Sequence, residues 1–367
     1  MKEEENYDDW FQREEKRFSR TQRKSKRQKD QSQYRKSDMD QRAKREALSS
    51  NDCSQLQRGR IVSIHGEHIQ VDSQGTLFSC YLRGALKLDL GRSTHAIAVG
   101  DLVLFERVEE GGGHILHVEE RTSFLSRAET LSQRREQLLV ANVDQLLITS
   151  SLLLPPLKPA LIDRYVIAAQ RGKIQPLLII NKADLLDHPE SGDERALLKE
   201  VEEAYAIASI PLLLVSAQTG QGLDELRSRM NQKASVFSGP SGVGKSSLIN
   251  ALLGTELATA PPIAHSRKGS HTTTRAQLLP LPTGGWIIDT PGIKSFGLWQ
   301  LKEEEELSSY FREIAQAACR CRFRNCSHHH EEGCAVLEAL DKGQIHPLRY
   351  GSYSALLDEV RSIHRRR

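Results

Sequence analysis

The chain has 367 residues, enough for two or three domains that each bury a core. Hydrophobic residues make up 38% of it, charged residues 27%, and the net charge is +3; this fits a globular chain and excludes a membrane span, because no apolar run is long enough. The amino terminus, MKEEENYDDW, lacks the basic-then-apolar layout of an export signal, so the expectation is a cytoplasmic chain with no membrane association.

Residues 1–55 are dominated by Lys, Arg, Glu, Asp, Gln and Ser and cannot bury enough apolar surface to offset the entropy of ordering. They are expected to form a charged, disordered arm. Within it, Arg20 to Lys29 contains no acid, and the carboxyl terminus ends in IHRRR, so both ends favour polyanions. Residues 56–125 change character. GRIVSI, HIQVD, TLFSCYLRG, DLVLFERV and HILHVEER are short β-rich runs divided by Gly-containing turns, the pattern of an all-β, OB-like barrel of the kind that often binds oligonucleotides.

From about residue 138, apolar strands alternate with amphipathic helices, which predicts an α/β domain with a parallel sheet covered on both faces. The strands expected are Val143 to Thr149, Pro176 to Ile180, Pro211 to Val215, Ala234 to Phe237 and Trp286 to Ile288. Leu161, Tyr165 and Ala169 mark the core stripe of one helix, and Leu197, Val201 and Tyr205 that of another. This domain is assigned residues 126–300. Residues 301–367 form a small Cys/His-rich module with a helix from Tyr353 to His364.

The sequence GPSGVGKS, residues 239–246, lies between the strand ASVF and the helix SLINALLG, the context a phosphate-binding loop requires. Gly239, Pro240, Ser241, Gly242, Val243 and Gly244 turn backbone N–H groups inward, and the helix that starts near Ser246 and Ser247 adds partial positive charge. Lys245 would reach the β- and γ-phosphates and Ser246 would ligate Mg²⁺. NKAD follows the strand PLLII. Asp184 can accept hydrogen bonds from guanine N1–H and N2–H₂, which adenine does not offer; Asn181 would hold another edge of the base and the stem of Lys182 one of its faces. SAQTGQG follows PLLLV, placing Ser216 and the Ala217 amide where guanine O6 would lie. Together these choose GTP.

DTPG, residues 289–292, follows the strand WII; Asp289 would hold Mg²⁺ through water and the Gly292 amide would sense the γ-phosphate. Between them, GSHTTT offers Thr273 to close the Mg²⁺ shell. Ile293 stands where a water-orienting glutamine would be expected, so intrinsic hydrolysis should be slow, with His271 the nearby candidate to orient water. Ile293 also permits a protein that holds GTP without hydrolysing it, against which intact Lys245, Ser246 and Asp289 argue. The base-reading motifs precede the phosphate loop, an order expected of circular permutation, which a site built at strand ends tolerates.

Four of the six cysteines lie between Cys319 and Cys334. Cys321, Cys326, His328 and Cys334 offer three thiolates and an imidazole for one structural Zn²⁺, with Cys319, His329 and His330 as rival ligands and Arg320, Arg322 and Arg324 nearby for phosphate contacts.

Assembled, residues 56–367 resemble the circularly permuted GTPase family that acts on the bacterial small ribosomal subunit, ribosome-biogenesis GTPase A. The resemblance implies GTP hydrolysis stimulated by the subunit and its rRNA, and a role in a late step of subunit assembly. It also implies zinc ligation by Cys321, Cys326, His328 and Cys334 and a switch histidine at His271. A monomer is the simplest expectation.

Overall fold

The computed structural model describes residues 56–83, 97–108, 111–129, 132–187, 192–254, 276–289, 301, 304–324 and 326–365. The amino-terminal arm, His271, Thr273, Gly292 and Ile293 lie outside the described residues, as does the side chain of Asp289. No helix among the described residues is long and apolar enough to cross a membrane.

Five strands close into a barrel: β1 (Leu56–His65), β2 (His68–Ser73), β3 (Thr76–Leu82), β4 (Leu102–Val108) and β5 (Gly112–Val118), in the order β1-β2-β3-β5-β4. Every neighbouring pair is antiparallel except β3 with β5. Alternation along the strands points Ile61, Ile69, Val71, Phe78, Cys80, Val103, Phe105 and Ile115 inward to form the barrel core. This is the OB-like barrel that the five β-rich runs predict.

A two-stranded hairpin follows, β6 (Phe124–Glu129) with β7 (Ser132–Ala141), which the sequence did not signal. Its segment SRAETLSQRREQ carries the polar composition of a loop. The barrel is bonded to the base of this hairpin: the Asn142 side chain donates to Gly100 O at 3.1 Å and accepts from the Thr122 amide at 3.0 Å. Beside it, Arg121 reaches the buried carboxylate of Asp101 at 2.7 Å.

The third unit is a six-stranded sheet in the order β10-β9-β8-β11-β13-β12. Its members in chain order are β8 (Gln145–Ser150), the helix α1 (Pro159–Arg171), β9 (Gln175–Ile180), α2 (Gly192–Ile207), β10 (Leu212–Leu214), α3 (Leu223–Met230), β11 (Ala234–Ser238), α4 (Lys245–Leu253), β12 (Gln277–Pro280) and β13 (Trp286–Asp289). Five strands run parallel and β12 lies antiparallel at the edge. Every residue of β8 is buried, because helices cover both faces and leave no place for a polar alternation. Tyr165 and Ala169 of α1 and Val201 and Tyr205 of α2 pack on one face, and Leu226 and Met230 of α3 with Leu248 and Leu252 of α4 on the other. The helices after the adjacent strands β8 and β11 therefore leave in opposite directions, and a crevice opens between them at the carboxyl edge of the sheet.

The carboxyl-terminal module consists of α5 (Glu304–Ser309), α6 (Arg312–Ala318), α7 (Ala335–Asp341) and α8 (Pro347–Arg365) around Leu307, Phe311, Ile314, Val336, Tyr353, Leu356 and Val360. The last helix starts six residues before the expected Tyr353, with Pro347 at its amino end, where a missing N–H costs nothing. It packs on α1, and Ile167 of α1 belongs to the module's core.

Candidate functional site

The three motifs meet at the carboxyl ends of neighbouring strands: Asn181 follows β9, Ser216 follows β10 by two residues, and Gly239 follows β11. The loop over residues 239–244 takes its shape from three glycines in left-handed or near-mirror backbone, Gly239 at φ 146°, Gly242 at 83° and Gly244 at 88°. A Cβ on Gly239 would stand 2.0 Å from Thr149 O at the end of β8, so the chain leaves β11 against its neighbour with no room for a side chain. Gly244 forms the N-cap of α4 and no side chain caps that end, which leaves the first-turn amides to the concave face of the loop. Lys245 arches back, its Nζ donating to Gly239 O at 2.9 Å and to Pro240 O at 2.7 Å. The loop amides and Lys245 together form a concave set of donors that can cradle a phosphate.

The guanine motif is bonded to that cradle. Asn181 is buried; its Nδ2 donates to Val243 O at 2.8 Å and its Oδ1 accepts from the Ala217 amide at 3.2 Å. Lys182 donates to Gly242 O at 2.8 Å and also to Leu154 O, so its stem lies alongside the loop. The hydroxyl of buried Ser216 donates to Asp184 Oδ1 at 2.5 Å and accepts from the amides of Gln218 and Thr219 at 3.2 and 3.1 Å. Asp184 is thus aimed through one oxygen, at the carboxyl edge of the sheet. Ser246 and Ser247 sit exposed in the first turn of α4. Asp289 ends β13 two strands from β8, on the same edge of the sheet.

The second constellation lies between α6 and α7. Ligand atoms of Cys321, Cys326, His328 and Cys334 all fall within 4.8 Å of one another. Cys321 Sγ is 4.0 Å from Cys334 Sγ, and each is 3.6 Å from His328 Nδ1. Tetrahedral zinc with bonds of about 2.3 Å to sulfur and about 2.0 Å to nitrogen would set those separations at roughly 3.8 and roughly 3.5 Å, so the donor set fits the ion. Burial and the neighbouring thiols of Cys334 and Cys321 push the Cys326 thiol up to about 12, and burial lowers His328, keeping the imidazole neutral as a ligand must be. Three thiolates can coexist there only around a cation.

Of the rivals, Cys319 is exposed and turns back to Ala315 O at 3.3 Å, and neither His329 nor His330 joins the cluster. Two supporting residues carry no sequence signal. Tyr350 of α8 donates to His328 O at 2.7 Å, and the Glu331 carboxylate accepts from the amides of Ser327, His329 and His330 at 2.6 to 3.2 Å, holding the left-handed turn at His328. Tyr350 acts across 22 residues, a gap that spacing along the chain does not reveal, whereas Glu331 acts within its own turn.

A family model described as RsgA GTPase matches residues 118–299. The small ribosomal subunit biogenesis GTPase RsgA of Bacteroides fragilis is 36% identical over 304 residues, covering 82% of this chain and 96% of that one. The protein of the same name from Chlorobaculum parvum is 41% identical over 276 residues, 73% of this chain and 86% of that one. The chain belongs to the RsgA GTPase family. It is a GTP hydrolase with the permuted order of motifs: YloQ, a circularly permuted GTPase of known structure, superposes with a TM-score of 0.66 at 25% identity, covering 85% of this chain and 98% of that one. YjeQ from Thermotoga maritima superposes at 0.68 with 34% identity, covering 83% and 98%. The barrel, the permuted GTPase sheet and the Cys₃His group of this RsgA-family chain are the architecture that the sequence predicted.

Proposed function

We propose that this GTPase acts on the small ribosomal subunit, binding it and its rRNA while GTP is held and loosening after hydrolysis, at a late step of subunit assembly. The observation that carries the reading is the bonding of Asn181 and Lys182 to the phosphate loop, which makes guanine selection and phosphate binding one rigid site. The relatives named for small ribosomal subunit biogenesis supply the partner.

In this reading residues 56–125 and 301–367 grip RNA, residues 126–300 time attachment and release, and residues 1–55 add a charged arm. GTP lies with guanine on Asp184, Asn181, Lys182 and Ala217 and its phosphates in residues 239–247. Lys245 turns from the loop carbonyls to the phosphates, and Ser246, Thr273 and Asp289 hold Mg²⁺, which supplies charge neutralisation at the phosphate oxygens. Gly292 senses the γ-phosphate and His271 orients water, with the subunit completing a site that lacks a glutamine at Ile293. A zinc ion on Cys321, Cys326, His328 and Cys334 staples a module whose core is small. The protein works as a monomer in the cytoplasm, where ribosomal subunits assemble.

The test is cosedimentation with small subunits under GTP, GDP and a non-hydrolysable analogue across a salt series, with turnover measured in parallel. Retention under the analogue, release under GDP, loss of binding at high salt and faster hydrolysis with subunits are expected. Equal hydrolysis with and without subunits would overturn the reading.

A further inference from the structure

Among the described residues, two of the exposed large apolar side chains are aromatic, Tyr81 and Phe323. Tyr81 is engaged on the barrel, its hydroxyl bonded to His68 at 2.8 Å. Phe323 is different. It is 46% exposed and lies in the turn between two members of the metal cluster, two residues after Cys321 and three before Cys326. A phenyl ring in that position contributes nothing to the module's core, which is built from other residues.

The turn that carries it is fixed from several sides. Phe323 O accepts the Cys326 amide at 3.3 Å, the Arg322 amide donates to Gly333 O at 3.4 Å, and the Arg322 stem lies against Gly333, where an added Cβ would come within 3.4 Å of it. The Arg322 guanidinium stands 5.4 Å from the ring centroid, and Arg320, Arg322 and Arg324 are all exposed. An aromatic face held on a stapled turn, with cations before and after it in the chain, has the composition of a stacking platform. A protein partner would be met by an apolar surround; here one cation lies at the ring and two more flank it in the chain, which matches an unpaired base flanked by phosphates.

We infer that Phe323 is a base-stacking residue of the zinc knuckle: it takes an unpaired nucleotide of the small-subunit RNA on its ring while the neighbouring arginines hold the phosphates on either side. The inference rests on the proposed action on the small subunit and names the contact within it. Stacking is a contact without charge, so it should leave the salt dependence of binding alone, whereas the arginines should set it.

The experiment measures affinity of the full-length, zinc-loaded protein with a non-hydrolysable GTP analogue for small ribosomal subunits and for subunit RNA freed of protein, over a salt series. F323A should bind both about tenfold or more weaker with an unchanged salt slope, F323Y should bind like the wild type, and a R322A/R324A pair should flatten the slope by about two. In F323W the new indole emission, read against the wild type, should be quenched when the RNA is added. The inference is overturned if F323A binds as the wild type does, if tyrosine fails to restore binding, or if F323A has shed its zinc, which would mean a packing role. A loss seen with subunits and absent with protein-free RNA assigns the ring to a protein contact and overturns it too. Failure of the wild type to bind subunits at all, by contrast, removes the underlying functional reading.

Discussion

Asn181 lies so close to Gly244 that a Cβ on the glycine would stand 2.4 Å from its Nδ2. The first belongs to the motif proposed to read the base and the second is the N-cap of α4, and 62 residues separate Asn181 from the Val243 carbonyl it holds. The permuted chain order leaves this contact possible because the sheet places β9 and β11 on either side of β8.

Gly244→Ala should therefore damage the nucleotide site twice, through backbone strain at φ 88° and through displacement of Asn181. Strain of this kind costs about 1–3 kcal/mol; a free loop that relaxes to escape it must be rebuilt on binding, which weakens GTP binding by up to roughly 5- to 150-fold. Titration with a fluorescent guanine nucleotide reads this directly, and affinity equal to the wild type would show that the loop tolerates another shape.

Asp184→Asn should exchange the preference for GTP for one for xanthosine triphosphate, since the amide now offers a donor where the carboxylate accepted. Ser216→Ala tests the aiming of that carboxylate. Its hydroxyl is buried and bonds Asp184 at 2.5 Å, so removal should cost about 1.5–3 kcal/mol, or roughly 10- to 150-fold in GTP affinity, without creating a taste for the xanthine base. Competition assays with both nucleotides separate the two effects.

Removing the metal should unfold the knuckle and spare the sheet. Cys334 is buried at the N-cap position of α7 and is one of the four proposed zinc ligands, so Cys334→Ser or chelation should release zinc, expose residues 319–334 to protease and lower the melting temperature of the module. The residues proposed to hold GTP lie on another part of the chain, at the carboxyl edge of the sheet, and nucleotide affinity should hold. Zinc content, limited proteolysis and nucleotide titration on the same sample check all three statements.

Much of this architecture is legible in the chain. β8, β9 and β11 are apolar runs bounded by polar turns, and burial on both faces leaves them no other reading. The hairpin of β6 and β7 is not legible because its arginines, glutamates and glutamines look like a loop, and its pairing is visible only in three dimensions. The crowding of cysteines announces a metal site, yet choosing Cys321 over Cys319 takes geometry: one thiol turns inward and the other back along α6. The bonds from Asn181 to Val243 and from Tyr350 to His328 O join distant segments, and no local pattern records them.

The carboxyl-terminal module and the GTPase sheet are joined through a buried arginine. Arg349 of α8 is buried between Asp163 of α1 and Glu313 of α6, bonded to both carboxylates, with its guanidinium 4.5 Å from the Phe311 ring centroid. Arg349→Met leaves two buried carboxylates without their cation and should cost about 3–5 kcal/mol, whereas adding Asp163→Leu and Glu313→Leu should recover most of it. Burial raises the Asp163 carboxyl above its usual range even with Arg349 beside it. A group whose folded pKa is raised stabilises most below its unfolded pKa, and that contribution is lost as pH rises through the folded pKa. Asp163→Asn does not titrate, so the melting temperature of the wild type relative to this variant should fall as pH rises from the carboxylate range toward neutrality. A difference that grows with pH instead would mean that the ion pair outweighs the burial of Asp163.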